Sequence, residues 1–208
     1  MTNRHVNAIA GRLSLRPPQR HSLEVLDRIT EIAPPRKGAD AAALEAALEA
    51  IRSEFPSVAD FEREFPSLCF ALATGVGKTR LMGAFISYLH LAHGINNFFV
   101  LAPNLTIYNK LIADFTPNTP KYVFKGIAEF ATDAPMVITG DNYEQTATGS
   151  LFGGVRINIF NISKINSEVR GGKSPRIKRL SEYIGESYFD YLAALPDLVL
   201  LMDESHRY

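Results

Sequence analysis

Residues 68–79 read Leu68-Cys-Phe-Ala-Leu-Ala-Thr-Gly-Val-Gly-Lys-Thr79, an apolar run that leads into a glycine-rich turn. Glycines let the backbone approach phosphate oxygens closely, and a helix that starts after the turn points unbonded N–H groups at them. The stretch therefore predicts a strand over residues 68–72, a phosphate-binding turn, and a helix over residues 78–93.

The turn is expected to hold the phosphates of ATP. Lys78 would reach the β and γ phosphates, and the Thr79 hydroxyl would ligate Mg²⁺. A strict form of this motif has glycine where the chain has Leu72, so the match is to a shorter form. The residues predicted to contact the nucleotide here are Thr74, Gly75, Val76, Gly77, Lys78, Thr79 and Arg80.

A second chemical segment, Leu198-Val-Leu-Leu-Met-Asp-Glu-Ser-His206, follows near the end of the chain. Its apolar part predicts a strand over residues 198–202, with Asp203 and Glu204 at the carboxyl end, where open α/β sheets bind ligands. Asp203 would hold Mg²⁺, Glu204 would orient or deprotonate the attacking water, and His206 would sense the γ phosphate. A solvated acidic turn is the alternative, but the phosphate turn upstream favours catalysis.

Length and composition fit one domain with a short helical segment before it. The 22 basic and 22 acidic residues cancel, so binding to nucleic acid would require a local patch. The single cysteine, Cys69, is expected to be buried and fits a reducing compartment. The longest apolar stretch, residues 81–95, is too short to cross a bilayer. We therefore expect a cytoplasmic protein without a membrane span.

Apolar periodicity divides the chain into a helical segment, residues 1–64, and an ATP-binding lobe, residues 65–208. Two amphipathic helices are predicted in the first part, over residues 19–32 and 40–51. In the second part, short apolar runs alternate with helical stretches, which is typical of a parallel α/β sheet covered on both faces. Further strands are expected over residues 98–102, 136–139 and 155–160, and further helices over residues 105–115 and 181–195.

Six segments together resemble a known family. The chain is similar to the DEAD/DEAH-type helicase domain of superfamily 2, in the form found in the restriction subunits of type III restriction enzymes. The similarity extends from about Leu15 to the last residue. The segments are Leu15-Arg-Pro-Pro-Gln19, Ala73-Thr-Gly-Val-Gly-Lys-Thr79, Val100-Leu-Ala-Pro-Asn-Leu-Thr106, Val137-Ile-Thr-Gly-Asp141, Ile159-Phe-Asn-Ile-Ser-Lys-Ile-Asn166 and Leu201-Met-Asp-Glu-Ser-His-Arg-Tyr208.

The resemblance implies a RecA-like P-loop NTPase lobe, α/β with a mostly parallel sheet, that uses ATP and Mg²⁺ and acts on DNA, in particular duplex DNA. It implies that Gln19 contacts adenine, although the residue also suits a helix start. It further implies a nucleic-acid contact at Pro103, Asn104 and Leu105, and another at Thr139 and Gly140. Asn104 has the alternative role of capping the next helix. A modification (methyltransferase) subunit is an implied partner.

A basic run supports nucleic-acid binding without help from the resemblance. Lys164, Arg170 and Lys173 lie in it, with three more basic residues before residue 180 and only one acidic residue among them. Phosphate contacts from such a segment would make binding salt dependent. A solvated linker is the alternative interpretation.

In this fold, the strand that follows the Asp-Glu strand is expected to lie between it and the strand that leads into the phosphate turn. A second RecA-like lobe supplies arginines to the active site. Neither is expected within 208 residues, so we expect a fragment with the second lobe beyond residue 208. On its own the chain would then bind ATP weakly and turn over negligibly. Two alternatives to the motor remain: a P-loop phosphotransferase that uses Asp203 and Glu204, disfavoured by Leu72, and a truncated nucleotide- or DNA-binding module without catalysis.

Overall fold

The computed structural model describes residues 3–35, 37–143, 154–162 and 187–203. These residues form four strands and seven helices. The strands are β1 (Asn97–Ala102), β2 (Met136–Thr139), β3 (Arg156–Asn161) and β4 (Leu198–Met202). The helices are α1 (Arg4–Arg12), α2 (Pro17–Ile32), α3 (Ala41–Glu54), α4 (Lys78–His93), α5 (Leu105–Phe115), α6 (Glu129–Thr132) and α7 (Tyr188–Ala194).

The four strands form one sheet in the order β2-β3-β1-β4, and every pair in it is parallel. Parallel neighbours require crossover connections, which here carry α5 and α7. α4 and α5 pack on one face of the sheet in the larger apolar core, whereas α7 packs on the other face through Tyr188 and Leu192. The predicted α/β fold with a parallel sheet covered by helices is therefore confirmed.

The helices at the start of the chain share their core with the sheet. Val6 and Ile9 of α1 and Leu23 of α2 belong to the same apolar cluster as α4 and the central strands. α3 packs on α2 in a smaller cluster around Ile51. Lys37 adds a polar link, because its ammonium donates to the backbone oxygens of Ala193 and Leu195 at the end of α7. The division at residue 64 stays a prediction.

Most predicted elements lie where the sequence places them. α4, α5, β2 and β4 have the predicted bounds, and β1 and β3 differ from prediction by one residue at one or both ends. The helix predicted over residues 181–195 is described only from Tyr188, because residues 163–186 lie outside the described part. α1 and the short α6 are absent from the sequence analysis. None of the helices in the described ranges is long and apolar enough to cross a membrane.

Two predictions about the segment before the phosphate turn are wrong. Residues 68–72 form no strand, and Cys69 is exposed. Within the described residues β4 is an edge strand that pairs only with β1, so the segment does not pair with its open edge. Without a strand partner for its backbone groups, an apolar run does not form a strand. Its apolar side chains still contribute, because Phe70 and Leu72 are partly buried against the larger core. On β4 itself, Leu200 remains 45% exposed.

A buried polar network joins the first helices to α4. The Tyr88 hydroxyl donates to Asp27 Oδ1 over 2.7 Å and lies 3.0 Å from Thr30 Oγ1 and 3.2 Å from His93 Nε2. Asn3, which caps α1, donates to the same Asp27 oxygen. Buried polar groups of this kind fix one arrangement of helices, because each would lose its partner in any other.

Removing the Tyr88 hydroxyl should therefore destabilise the protein. Tyr88→Phe leaves Asp27 and Thr30 short of a partner, and we expect a loss of about 1–3 kcal/mol in the free energy of unfolding by urea denaturation. Tyr122→Phe is the matched control, because the Tyr122 hydroxyl is buried without a hydrogen-bond partner in the described residues. It should be neutral or slightly stabilising, and equal losses from the two variants would refute the role of the network.

Candidate nucleotide-binding site

The phosphate turn has the backbone shape that the glycines predict. Gly75 and Gly77 adopt φ angles of 83° and 93°, which side-chain-bearing residues avoid. Gly77 is the N-cap of α4, so the positive end of the helix dipole faces the turn. Such a helix N-terminus attracts phosphate.

Gln19 ties the turn to α2. Its side chain is 2% exposed, and its Nε2 donates to the Gly77 carbonyl over 2.9 Å. Its Oε1 accepts from the backbone N–H of Arg16 over 2.8 Å. The Arg16 guanidinium extends along the same turn and lies 3.4 Å from the Gly75 oxygen. In this structure the Gln19 amide therefore holds the turn, and its contact with adenine stays a prediction.

Thr79 joins the turn to α5. Its side-chain oxygen accepts a hydrogen bond from Lys110 Nζ over 2.7 Å, and the same ammonium lies 3.0 Å from Asp114 Oδ2. α5 begins directly after β1 ends. The contact between Thr79 and Lys110 therefore places the phosphate turn on the side of the molecule where the strands have their carboxyl ends.

Asp203 lies at the same edge of the sheet. It follows β4, is half-buried, and donates its backbone N–H to the Leu101 oxygen near the end of β1. Asp203 thus lies at the carboxyl edge of the parallel sheet, where ligands bind in α/β folds. That it meets the phosphate turn around one nucleotide stays a prediction. Glu204 and His206, the other two predicted catalytic residues in this segment, lie outside the described residues.

The residues predicted to contact nucleic acid lie at this edge too, as far as they are described. Asn104 caps α5, because its Oδ1 accepts from the Ile107 N–H over 2.9 Å, and Pro103 and Leu105 flank it; Leu105 is 59% exposed. Thr139, at the end of β2, is buried, and its backbone N–H donates to Asn142. Capping by Asn104 is thus observed, while nucleic-acid contact stays a prediction for Pro103, Asn104, Leu105, Thr139 and Gly140. Lys164, Arg170 and Lys173 lie outside the described residues.

The donor set fits a magnesium nucleotide. Mg²⁺ keeps several waters and takes one or two protein ligands together with substrate phosphates, so it needs no cage of protein side chains. The described residues contain no cluster of three or more potential metal-ligating side chains of the His, Cys, Asp and Glu types. A hydroxyl at Thr79 and a carboxylate at Asp203 match the smaller requirement.

Two of the turn's contacts were not found from the sequence. Arg16 and Lys110 both touch the turn, yet neither belongs to the phosphate-binding pattern. For Lys110 a signal exists, since Lys110 and Asp114 are four residues apart and form an ion pair on one face of α5. Periodicity cannot say, however, that this face points at Thr79.

The comparison with known families found a match over most of the chain. The chain matches the family model of the type III restriction enzyme, res subunit, over residues 13–208. No curated protein and no solved structure matches it.

Gly75 and Gly77 differ in the space that is available for a side chain. Gly75→Ala and Gly77→Ala each force a side chain into a left-handed backbone, at a cost of about 1–2 kcal/mol. Only at Gly77 would the new Cβ collide with a side chain, since it would lie 2.7 Å from Gln19 Nε2. We therefore expect a larger fall in melting temperature for Gly77→Ala than for Gly75→Ala.

Gln19→Ala in the Gly77→Ala background provides the control. The Gln19→Ala substitution removes the atom that the new Cβ would contact. It should therefore lower the melting temperature less in the Gly77→Ala variant than in the wild-type protein. If Gln19→Ala lowers the melting temperature equally in both backgrounds, Gln19 does not pack against residue 77.

Proposed function

Because the chain belongs to the family of type III restriction enzyme Res subunits, we propose that it is the ATP-binding lobe of a DNA-dependent ATPase that moves along or remodels duplex DNA. The family makes it a helicase-like ATPase lobe with a RecA-like α/β fold. Hydrolysis by this chain, the coupling to DNA and the residues that carry them are the proposal. Its main support is that the phosphate turn and Asp203 lie at one edge of the sheet.

Nucleotide binding rests on the turn from Thr74 to Arg80. The backbone N–H groups of Gly75, Gly77 and Lys78 surround the phosphates, and the Lys78 ammonium neutralises the β and γ phosphates. Gln19 holds Gly77 in place and, in this proposal, also reaches the adenine base. Thr79 and Asp203 are the residues that would hold Mg²⁺.

Hydrolysis rests on Glu204. Its carboxylate orients the attacking water and accepts a proton from it, and His206 responds to the γ phosphate. When bound by Thr79 and Asp203, Mg²⁺ would supply positive charge to the β and γ phosphate oxygens. Positioning and charge stabilisation account for most phosphoryl-transfer catalysis, so a second RecA-like lobe that contributes arginines completes the site.

DNA binds across the carboxyl edge of the sheet. Pro103, Asn104 and Leu105 touch its backbone at the N-terminus of α5, and Thr139 and Gly140 touch it at the end of β2. The basic residues Lys164, Arg170 and Lys173 add charge contacts that weaken with salt. A modification subunit with methyltransferase activity is the partner that the family suggests.

Hydrolysis by the protein that carries this lobe in its native assembly tests the proposal. ATP turnover should rise on addition of duplex DNA and require no phosphate acceptor. Lys78→Ala should lower kcat/KM by about 100-fold or more, because it removes the charge nearest the transferred phosphoryl group. Glu204→Gln should preserve nucleotide binding and stop turnover.

Lys121→Ala is the matched control for Lys78→Ala, because it removes an exposed lysine away from the turn and should leave turnover unchanged. Turnover that ignores DNA but needs a small-molecule acceptor would show a phosphotransferase instead. Normal hydrolysis by the Glu204→Gln variant would refute the role of Glu204.

A further inference from the structure

Lys110 is hydrogen-bonded to Thr79, whose hydroxyl is proposed to ligate Mg²⁺. Its ammonium lies 2.7 Å from Thr79 Oγ1 and 3.0 Å from Asp114 Oδ2. Asp114 and Lys110 differ in how far their side chains are exposed, and this difference indicates which of the two can move. The Asp114 side chain is 8% exposed and the Lys110 side chain 55% exposed, so Asp114 is the fixed anchor and Lys110 the part that can turn away.

Two cations cannot share the Thr79 oxygen comfortably. Mg²⁺ binds oxygen at about 2.0–2.1 Å, so a metal on Thr79 Oγ1 would lie roughly 4 Å from the Lys110 nitrogen in its present position. Thr79 is buried, and partial shielding from water strengthens the repulsion between the two charges. The ammonium must therefore move before the metal can bind.

We propose that Lys110 is a resident cation that holds the Thr79 hydroxyl in the metal-free protein and competes with Mg²⁺ for it. Lys110 thereby sets the Mg²⁺ concentration at which the nucleotide complex forms, as a positioning residue that acts through Thr79. This inference rests on the proposed function, because Thr79 ligates Mg²⁺ only if the turn binds a magnesium nucleotide.

The competition also connects the metal to α5. Lys110 is carried by the helix that begins at Leu105 and is capped by Asn104. When the metal displaces Lys110, α5 loses its hydrogen bond to the first turn of α4. By linkage, whatever strengthens that hydrogen bond weakens metal binding by the same factor.

The first experiment titrates Mg²⁺ against the protein and a fluorescent ATP analogue, and reads the binding signal without any turnover. Lys110→Met should lower the half-saturating Mg²⁺ concentration by about fivefold or more, because the competing cation is gone. Its affinity for the nucleotide in EDTA should stay within about twofold of wild type, since Lys110 contacts Thr79 and no phosphate.

Three further variants separate the causes. Lys110→Arg keeps the charge and should keep the wild-type Mg²⁺ requirement. Lys121→Met removes an exposed lysine elsewhere and should also behave as wild type. Lys110→Met leaves the buried Asp114 carboxylate without its ammonium, so Asp114→Asn is added to it. The tighter Mg²⁺ binding should persist in this double variant; if it disappears, the freed carboxylate is the cause and the proposal is wrong.

A second experiment tests the contact in the metal-free protein. Thr79→Val and Lys110→Met each remove one side of the hydrogen bond, so the melting temperature of the double variant should fall by less than the two single losses together. Additive losses would refute the contact.

The failures are distinguishable. If the wild-type protein binds no nucleotide at any Mg²⁺ concentration, the proposed function is wrong, and so is the proposed competition between Lys110 and Mg²⁺. If wild type binds and Lys110→Met shows an unchanged Mg²⁺ requirement, or weaker binding in EDTA, only the inference fails.

Discussion

The burial of α4 on two sides is the constraint on which the structure depends. One side of this helix packs on the parallel sheet and the other on α1 and α2, and all three contacts belong to one apolar core. The Tyr88 network fixes the position of α2 on α4, because its hydrogen bonds to Asp27 and Thr30 form in only one arrangement of the two helices. With its body fixed, α4 can only present its N-terminus, and the turn before it, at the carboxyl edge of the sheet.

The phosphate turn is in turn held by side chains from outside it. Gln19 reaches Gly77 from α2, and Lys110 reaches Thr79 from α5. A loop rich in glycine loses much conformational entropy on ordering, and these contacts pay part of that cost before any ligand arrives. These two contacts join the turn to α2 and α5, the elements on which adenine and DNA contacts are proposed.

The sequence was most informative where a single local pattern determines the structure of a segment. Helical and strand periodicity located α4, α5 and four strands, and the glycine spacing located the phosphate turn. It misled at residues 68–72, because an apolar run becomes a strand only when a neighbouring strand accepts its hydrogen bonds. It could not identify Lys110 as a contact of Thr79, because the approach of two helices depends on their packing and not on spacing within either. Asn104 illustrates a middle case, in which both roles were foreseen and the cap is observed.

The central claim is that the phosphate turn and the Asp203 segment meet around one bound triphosphate and its metal. Mn²⁺ in place of Mg²⁺, bound with a non-hydrolysable ATP analogue, broadens the NMR signals of nearby amides with a steep dependence on distance. We expect strong broadening at both Thr79 and Asp203, and much weaker broadening at Asp197, which precedes the opposite end of β4. Broadening at Thr79 while Asp203 stays as sharp as Asp197 would contradict the central claim.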